Sequence, residues 1–254
     1  MPRMMNDDST MEKGSIGGKG MQPFQFSGTR IEHLGATEYT LVTIAVDITG
    51  STAPFSDELR KCLIAAVESC KKSPRSNNLL LRVILFSSSI HGGIEEVHGF
   101  KPLAEIDPNN YPILNPQGMT PLFDAAFSAV GATNAYAKKL MDQDFLANGI
   151  VFVITDGDDN TSKLTAKNVG EEIERGSKSE EIESLIPILV AINAKECEKA
   201  LKKFQTTANL RYIDVGDVTV GKLAKLADFV SQSVSSQSQS LGTGGPSQRI
   251  AATI

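Results

Sequence analysis

The stretch LVTIAVDITGS, residues 41–51, constrains this chain more than any other. Leu41 to Val46 are apolar except Thr43, and Val42, Thr43, Ile44 and Val46 are β-branched, so the run reads as a strand buried on both faces. It ends abruptly in an aspartate, hydroxyls and a glycine. In an open α/β sheet ligands bind beyond the carboxyl ends of the strands, which makes Asp47, Thr49 and Ser51 the first candidate site residues.

The rest of the chain supplies partners for such a strand. Ser56 suits a helix N-cap, Asp57 and Glu58 suit the first turn, and Leu59, Cys62, Leu63, Ala66, Val67 and Cys70 form one apolar face to about Lys72. Leu79 to Phe86 reads as a second buried strand. Gly92-Gly93 then predicts a hairpin into a short polar strand, Ile94 to Val97, antiparallel at the sheet's edge, where Glu95 and Glu96 discourage pairing. Residues 101–118, with Pro102, Pro108, Pro112 and Pro116, read as a long structured loop. Thr120 and Pro121 suit the N-cap and first turn of a helix over Leu122 to Met141.

Ile150 to Thr155 is the fourth strand, ending in Asp156-Gly157-Asp158-Asp159-Asn160. A helix (about Leu164 to Arg175), a strand (Leu185 to Ile192), a helix (Ala194 to Phe204), a strand (Arg211 to Val215) and a helix (about Val220 to Val234) complete the alternation. The expected fold is α/β: a doubly wound, mostly parallel sheet in the order 3-2-1-4-5-6, with helices on both faces. Residues 1–22 read as a disordered leader, 23–38 as an N-terminal arm, 39–234 as the domain and 235–254 as a disordered Ser, Gln and Gly-rich tail. Met21 is an alternative start.

Composition excludes several function classes. A net charge of −5, from 25 basic and 30 acidic residues, argues against nucleic-acid binding, which needs clustered Lys and Arg. No apolar stretch reaches the roughly 18 to 20 residues of a membrane span, and residues 1–22 lack a signal-peptide core. Cys62, Cys70 and Cys197 have no metal-ligand spacing and read as reduced core thiols, which implies a cytoplasmic protein. His33, His91 and His98 are scattered away from the motif loops.

On this topology Asp47, Thr49, Ser51, Thr120 and Asp156 come from three loops that meet over one crevice. Singly, the aspartates and Thr120 could merely cap helices. Together they are an all-oxygen set that suits a hard divalent cation such as Mg²⁺, with Mn²⁺ or Ca²⁺ as alternatives. Because the hydroxyls are neutral, the ion would stay electron-poor and recruit an Asp or Glu from a protein partner. Asp158, Asp159 and Asn160 read as a solvated turn, with hydrogen-bonded support of the site as the alternative.

D-x-T-G-S at Asp47 to Ser51, Thr120 within GMTPL, and T-D-G at Thr155 to Gly157 resemble the metal-ion-dependent adhesion site of von Willebrand factor A domains, over roughly residues 39–234. The resemblance implies Thr49, Ser51 and Thr120 as direct or near-direct ligands, with Asp47 and Asp156 acting directly or through water. Thr49 departs from the family, which most often has Ser there, but keeps the hydroxyl. GATEYT and the DGDDN run look more like intracellular bacterial or phage-encoded members than like integrins. The resemblance implies a non-enzymatic protein-binding module.

Two other readings compete. A scaffold subunit of a larger bacterial or phage assembly would keep the fold with an incidental metal. A Mg²⁺-dependent phosphatase of the haloacid-dehalogenase type also places an aspartate after its first strand, but its general acid two residues on is here Thr49. An EF-hand over 156–167 fails because Thr161 and Lys167 replace the Gly and Glu that such a loop needs.

Overall fold

Glu38–Asp47 forms the central strand of the sheet, and all of it beyond Glu38 is buried. The computed structural model describes residues 10–17, 23–179 and 181–243. In chain order the elements are β1 (Met11–Ile16), β2 (Phe24–Thr29), β3 (Glu38–Asp47), α1 (Ser56–Lys71), β4 (Leu79–Phe86), β5 (Ile94–Pro102), α2 (Leu122–Met141), β6 (Leu146–Thr155), α3 (Ala166–Lys178), β7 (Leu185–Ile192), α4 (Glu198–Ala208), β8 (Arg211–Gly216) and α5 (Val220–Thr243). The sheet runs β1-β2-β5-β4-β3-β6-β7-β8. From β3 to β8 this is the expected 3-2-1-4-5-6 order, parallel except for β5, which is antiparallel to β4.

The sheet has a layer of helices on each face because its strands are apolar on both. Val42, Ile44 and Val46 pack with Leu59, Cys62, Leu63 and Ala66 of α1 and Leu223, Leu226 and Val230 of α5. On the other face Ala45, Val151 and Val153 pack with Ala125 and Ala129 of α2, Val169 of α3 and Leu201 of α4. Among the described residues no helix is long and apolar enough to cross a membrane.

Several expectations are corrected. β5 is not the edge: β2 lies beyond it in parallel and β1 beyond that, antiparallel to β2. The leader and arm therefore contain a hairpin. It is held by Phe26, buried with Phe100 and Tyr136, whose rings stack at 5.0 Å, and by the Tyr136 hydroxyl, which donates to the Thr29 carbonyl. Glu96, expected to repel a neighbouring strand, instead accepts from Ser27 Oγ at 2.5 Å and from Arg82 Nε at 2.6 Å.

The last helix passes Val234 and runs to Thr243, because Ser233, Gln237 and Ser238 on one face are buried against the domain and Gln237 is bonded to it: Asn148 Nδ2 donates to the Gln237 carbonyl at 2.8 Å, and Gln237 Nε2 to Ser184 Oγ at 2.6 Å. Ser56 is the first residue of α1 rather than its cap, since a 3-10 turn over Gly50–Phe55 leads into the helix. α3 begins at Ala166 because Thr165 and Asn168 form a reciprocal capping box. Residues 1–9 and 18–22 of the expected leader and 244–254 of the expected tail lie outside the described residues.

Candidate metal centre

Parallel pairing of β3 with β6, which sets Val46 opposite Ile154, delivers Asp47 and Asp156 to the same end of the sheet. Three loops meet there. The first follows β3, the second is the Gln117–Pro121 stretch before α2, and the third follows β6. Backbone bonds lock the first two together: Gly50 N donates to the Gly118 carbonyl at 3.2 Å and Gln117 N to the Ile48 carbonyl at 3.0 Å. Gly118 has a φ of +77°, and a β-carbon there would come within 2.8 Å of Ser88 Oγ and Ser89 N, so no other residue fits.

Asp47 is 1% exposed. Its Oδ1 accepts from Thr49 N at 2.8 Å and its Oδ2 from Thr155 Oγ1 at 2.7 Å. Thr49 Oγ1 lies 3.2 Å from Ser51 Oγ, which donates to Asp156 Oδ1 at 2.8 Å. Asp47, Thr49, Ser51 and Asp156 thus form one hydrogen-bonded group with Thr155. Thr120 is brought to the third loop by a different contact: its N–H donates to Asn160 Oδ1 at 2.7 Å, and its carbonyl accepts from Asn160 N at 3.1 Å. A β-carbon at Gly157 would lie 3.6 Å from Thr120 Oγ1, so the Asp156 loop passes beside that hydroxyl.

Thr120 is not the helix cap the sequence suggested. Asp159 Oδ1 accepts from Phe123 N at 3.2 Å, Ser162 Oγ accepts from Asp124 N at 3.0 Å, and Asp124 accepts from the backbone of Lys163 and Leu164. The start of α2 is therefore capped from the third loop. The Thr120 hydroxyl, in a residue only 4% exposed, makes no hydrogen bond among the described residues.

Electrostatics points the same way. Burial pushes the Asp47 carboxyl up to about 6, against its bonds from Thr155 and Thr49, and the nearby charge of Asp156 adds to the rise. Asp156 is raised as well, chiefly by burial. Among the described residues no cationic side chain pairs with either. Nor is there among the described residues any group of three or more His, Cys, Asp or Glu that could hold a metal ion, here or elsewhere, so any cation at this end of the sheet would depend on hydroxyls as well as carboxylates. Two under-compensated carboxylates and three hydroxyls, one of them unbonded, form a donor set that fits a hard oxygen-seeking cation.

This fold has solved counterparts. It is similar to the pilus adhesin SpaC from Lactobacillus rhamnosus GG (TM-score 0.58, 10% identity, 89% of this chain and 34% of that one). It is also similar to the PilB minor pilin from Streptococcus sanguinis (TM-score 0.54, 14% identity, 91% and 68%) and to proximal thread matrix protein 1 from the mussel byssus (TM-score 0.51, 14% identity, 77% and 48%). They share its fold. The chain spans about a third of the length of SpaC, and at such identities the likeness carries no function across. No family model and no curated protein matches the sequence.

Sequence reasoning underrates two residues here. Thr155 was visible as part of T-D-G, but its bond to Asp47 follows from the β3–β6 register. Asn160 reads from the sequence first as part of a solvated turn and only second as hydrogen-bonded support of the site, because a turn composition does not say which carbonyl or amide its side chain meets; its bonds to Thr120 are of the second kind.

Proposed function

We propose that this chain is a non-enzymatic, metal-dependent protein-binding module, in which Asp47, Thr49, Ser51, Thr120 and Asp156 hold a divalent cation, Mg²⁺ before Mn²⁺ or Ca²⁺. When bound, the cation offers an electron-poor coordination position to the oxygen of a partner's Asp or Glu. The observation that carries this reading is the Thr120 hydroxyl, which makes no hydrogen bond among the described residues and stands beside the Asp156 loop, together with two buried carboxylates that no cationic side chain among the described residues pairs with. The protein's own residues contribute position: Thr155 and the Thr49 amide fix Asp47, and Ser51 fixes Asp156. The sequence resemblance to the von Willebrand factor A adhesion site supports the same assignment. Three cysteines without a disulfide support a cytoplasmic location.

A phosphatase reading gains no support. The position two residues beyond Asp47 carries Thr49, a hydroxyl bonded to Ser51, where that chemistry requires a carboxylic acid.

The test compares Mg²⁺ and Mn²⁺ binding by calorimetry in wild type, Thr120→Ala and Asp156→Ala, followed by capture of partners with Mg²⁺, with chelator and with Thr120→Ala. A partner held only by wild type with Mg²⁺ is the expected result. Unchanged metal and partner binding in both variants would sink the proposal.

A further inference from the structure

The DGDDN run following β6 is longer than the metal reading uses. Asp156 belongs to the site, and Asp159, with Ser162, caps α2 by taking the amides of Phe123 and Asp124. Asn160 does neither. Its side-chain oxygen accepts from Thr120 N at 2.7 Å while its own N–H donates to the Thr120 carbonyl at 3.1 Å, a two-point clamp on one backbone unit. On the other side Met119 is clamped in the same manner, its N–H donating to Ser88 Oγ at 2.8 Å and its carbonyl accepting from Ser88 N at 2.9 Å. Thr120 itself lies outside α2, and the following Pro121 brings no N–H, so no helix ladder holds Thr120 in place.

From this we infer that Asn160 is the positioning residue of the site: it sets where the Thr120 hydroxyl stands relative to Asp156, four residues earlier in the same loop. The role rests on the metal reading above. One loop then supplies both a carboxylate and the clamp for the hydroxyl contributed by another, so the spacing of the two donors is fixed by covalent chain plus two hydrogen bonds. Because Asp159 and Ser162 cap the helix, the Thr120 side chain is released from capping and left for a ligand. Asn160 is exposed, and an exposed turn residue without such a role would be silent on substitution.

The experiment measures Mn²⁺ affinity of the full chain by electron paramagnetic resonance, and hydrogen exchange at the Thr120 amide in metal-free protein, for wild type, Asn160→Ala, Asn160→Asp and Thr120→Ala. Asn160→Asp keeps the acceptor oxygen. The expected result is Mn²⁺ affinity about 10- to 100-fold weaker in Asn160→Ala, the range for partners that orient ligands, with faster exchange at Thr120 and an unchanged urea midpoint. Asn160→Asp restores both readouts. Wild-type affinity in Asn160→Ala, or an Asn160→Asp as weak as Asn160→Ala, overturns the inference alone. A wild type that takes up no Mn²⁺, or takes it up as well after Thr120→Ala, overturns the metal reading and this role with it.

Discussion

Thr120 illustrates how a single hydroxyl can be worth little to the fold and much to a ligand. Its hydroxyl makes no hydrogen bond among the described residues, so Thr120→Ala should cost stability in urea unfolding only the burial of one methyl, about 1 kcal/mol, while metal affinity measured by calorimetry falls at least about 10-fold. A stability loss in chelator well beyond that of one methyl, with metal affinity unchanged, would instead make Thr120 a structural residue. His98 shows the opposite case. Its Nδ1 faces the Gly99 carbonyl at 2.9 Å, which can only accept, so Nε2 is left to accept from the Tyr111 hydroxyl at 3.0 Å. Burial, with Lys101 and Arg82 nearby, lowers its pKa from 6.5 to about 4. The folded state therefore prefers neutral His98 while the unfolded chain takes a proton below pH 6.5. The contribution is intact above 6.5 and lost as pH falls from there toward 4, by about 1.4 kcal/mol per pH unit at most. Urea titrations should show wild type losing stability relative to His98→Gln across that window and not above it; parallel curves would refute it. At this scale the candidate ligands were legible because each stands at the end of an apolar run or in a short hydroxyl motif. Thr155 and Asn160 were not, since their partners are reached only through strand register and loop packing.

Between elements, the N-terminal hairpin is joined to the core by a buried charge. Arg82 is fully buried in β4; its Nε donates to Glu96 of β5, and its two other nitrogens have no hydrogen-bond partner among the described residues. Glu96 also receives Ser27 Oγ from β2, so one carboxylate bridges three strands. Removing it would strand a guanidinium in an apolar layer. Glu96→Ala should therefore cost on the order of 3 kcal/mol, while the double change Arg82→Leu with Glu96→Ala recovers most of the loss, because replacing a buried pair by apolar groups is often neutral. Equal costs for the single and double variants in urea unfolding would show that the pair is not coupled. The hairpin was invisible in the sequence for a related reason. Phe24, Phe26 and Ile16 are too sparse for a periodic signal, and what makes them strands is a distant wall: Phe127 beside Phe24, Tyr136 over Gly28, and Ile16 against Gly131. The same holds for the end of α5, whose Ser and Gln composition reads as tail but whose Ser233, Val234 and Gln237 are buried against the domain. By contrast β3, β4, β6 and β7 carry their burial in local apolar runs, which is why their order and direction could be read before any contact was known.

Over the whole molecule, the candidate site joins residues 47–51, 120 and 156, which only the folded sheet brings together. The unfolded chain has no means of gathering them, so a cation held there binds the native state alone and must stabilise it by mass action. The native state also stands to gain locally, since the carboxyls of Asp47 and Asp156, both raised by burial, would receive the positive charge they lack. At a free Mg²⁺ concentration a hundred times the dissociation constant the gain is about 2.7 kcal/mol. For a domain of this size that corresponds to a rise in Tm of roughly 5–10 °C. Scanning calorimetry of wild type in chelator and in saturating Mg²⁺ should show this shift, reversed by added chelator. Thr120→Ala should start in chelator within a few degrees of the wild-type Tm and gain much less at the same Mg²⁺ concentration, because weaker affinity reduces the logarithmic term. A shift of equal size in both proteins would place the ion elsewhere on the surface. No shift in wild type would mean that this end of the sheet, whatever its donors, does not hold a divalent cation in solution.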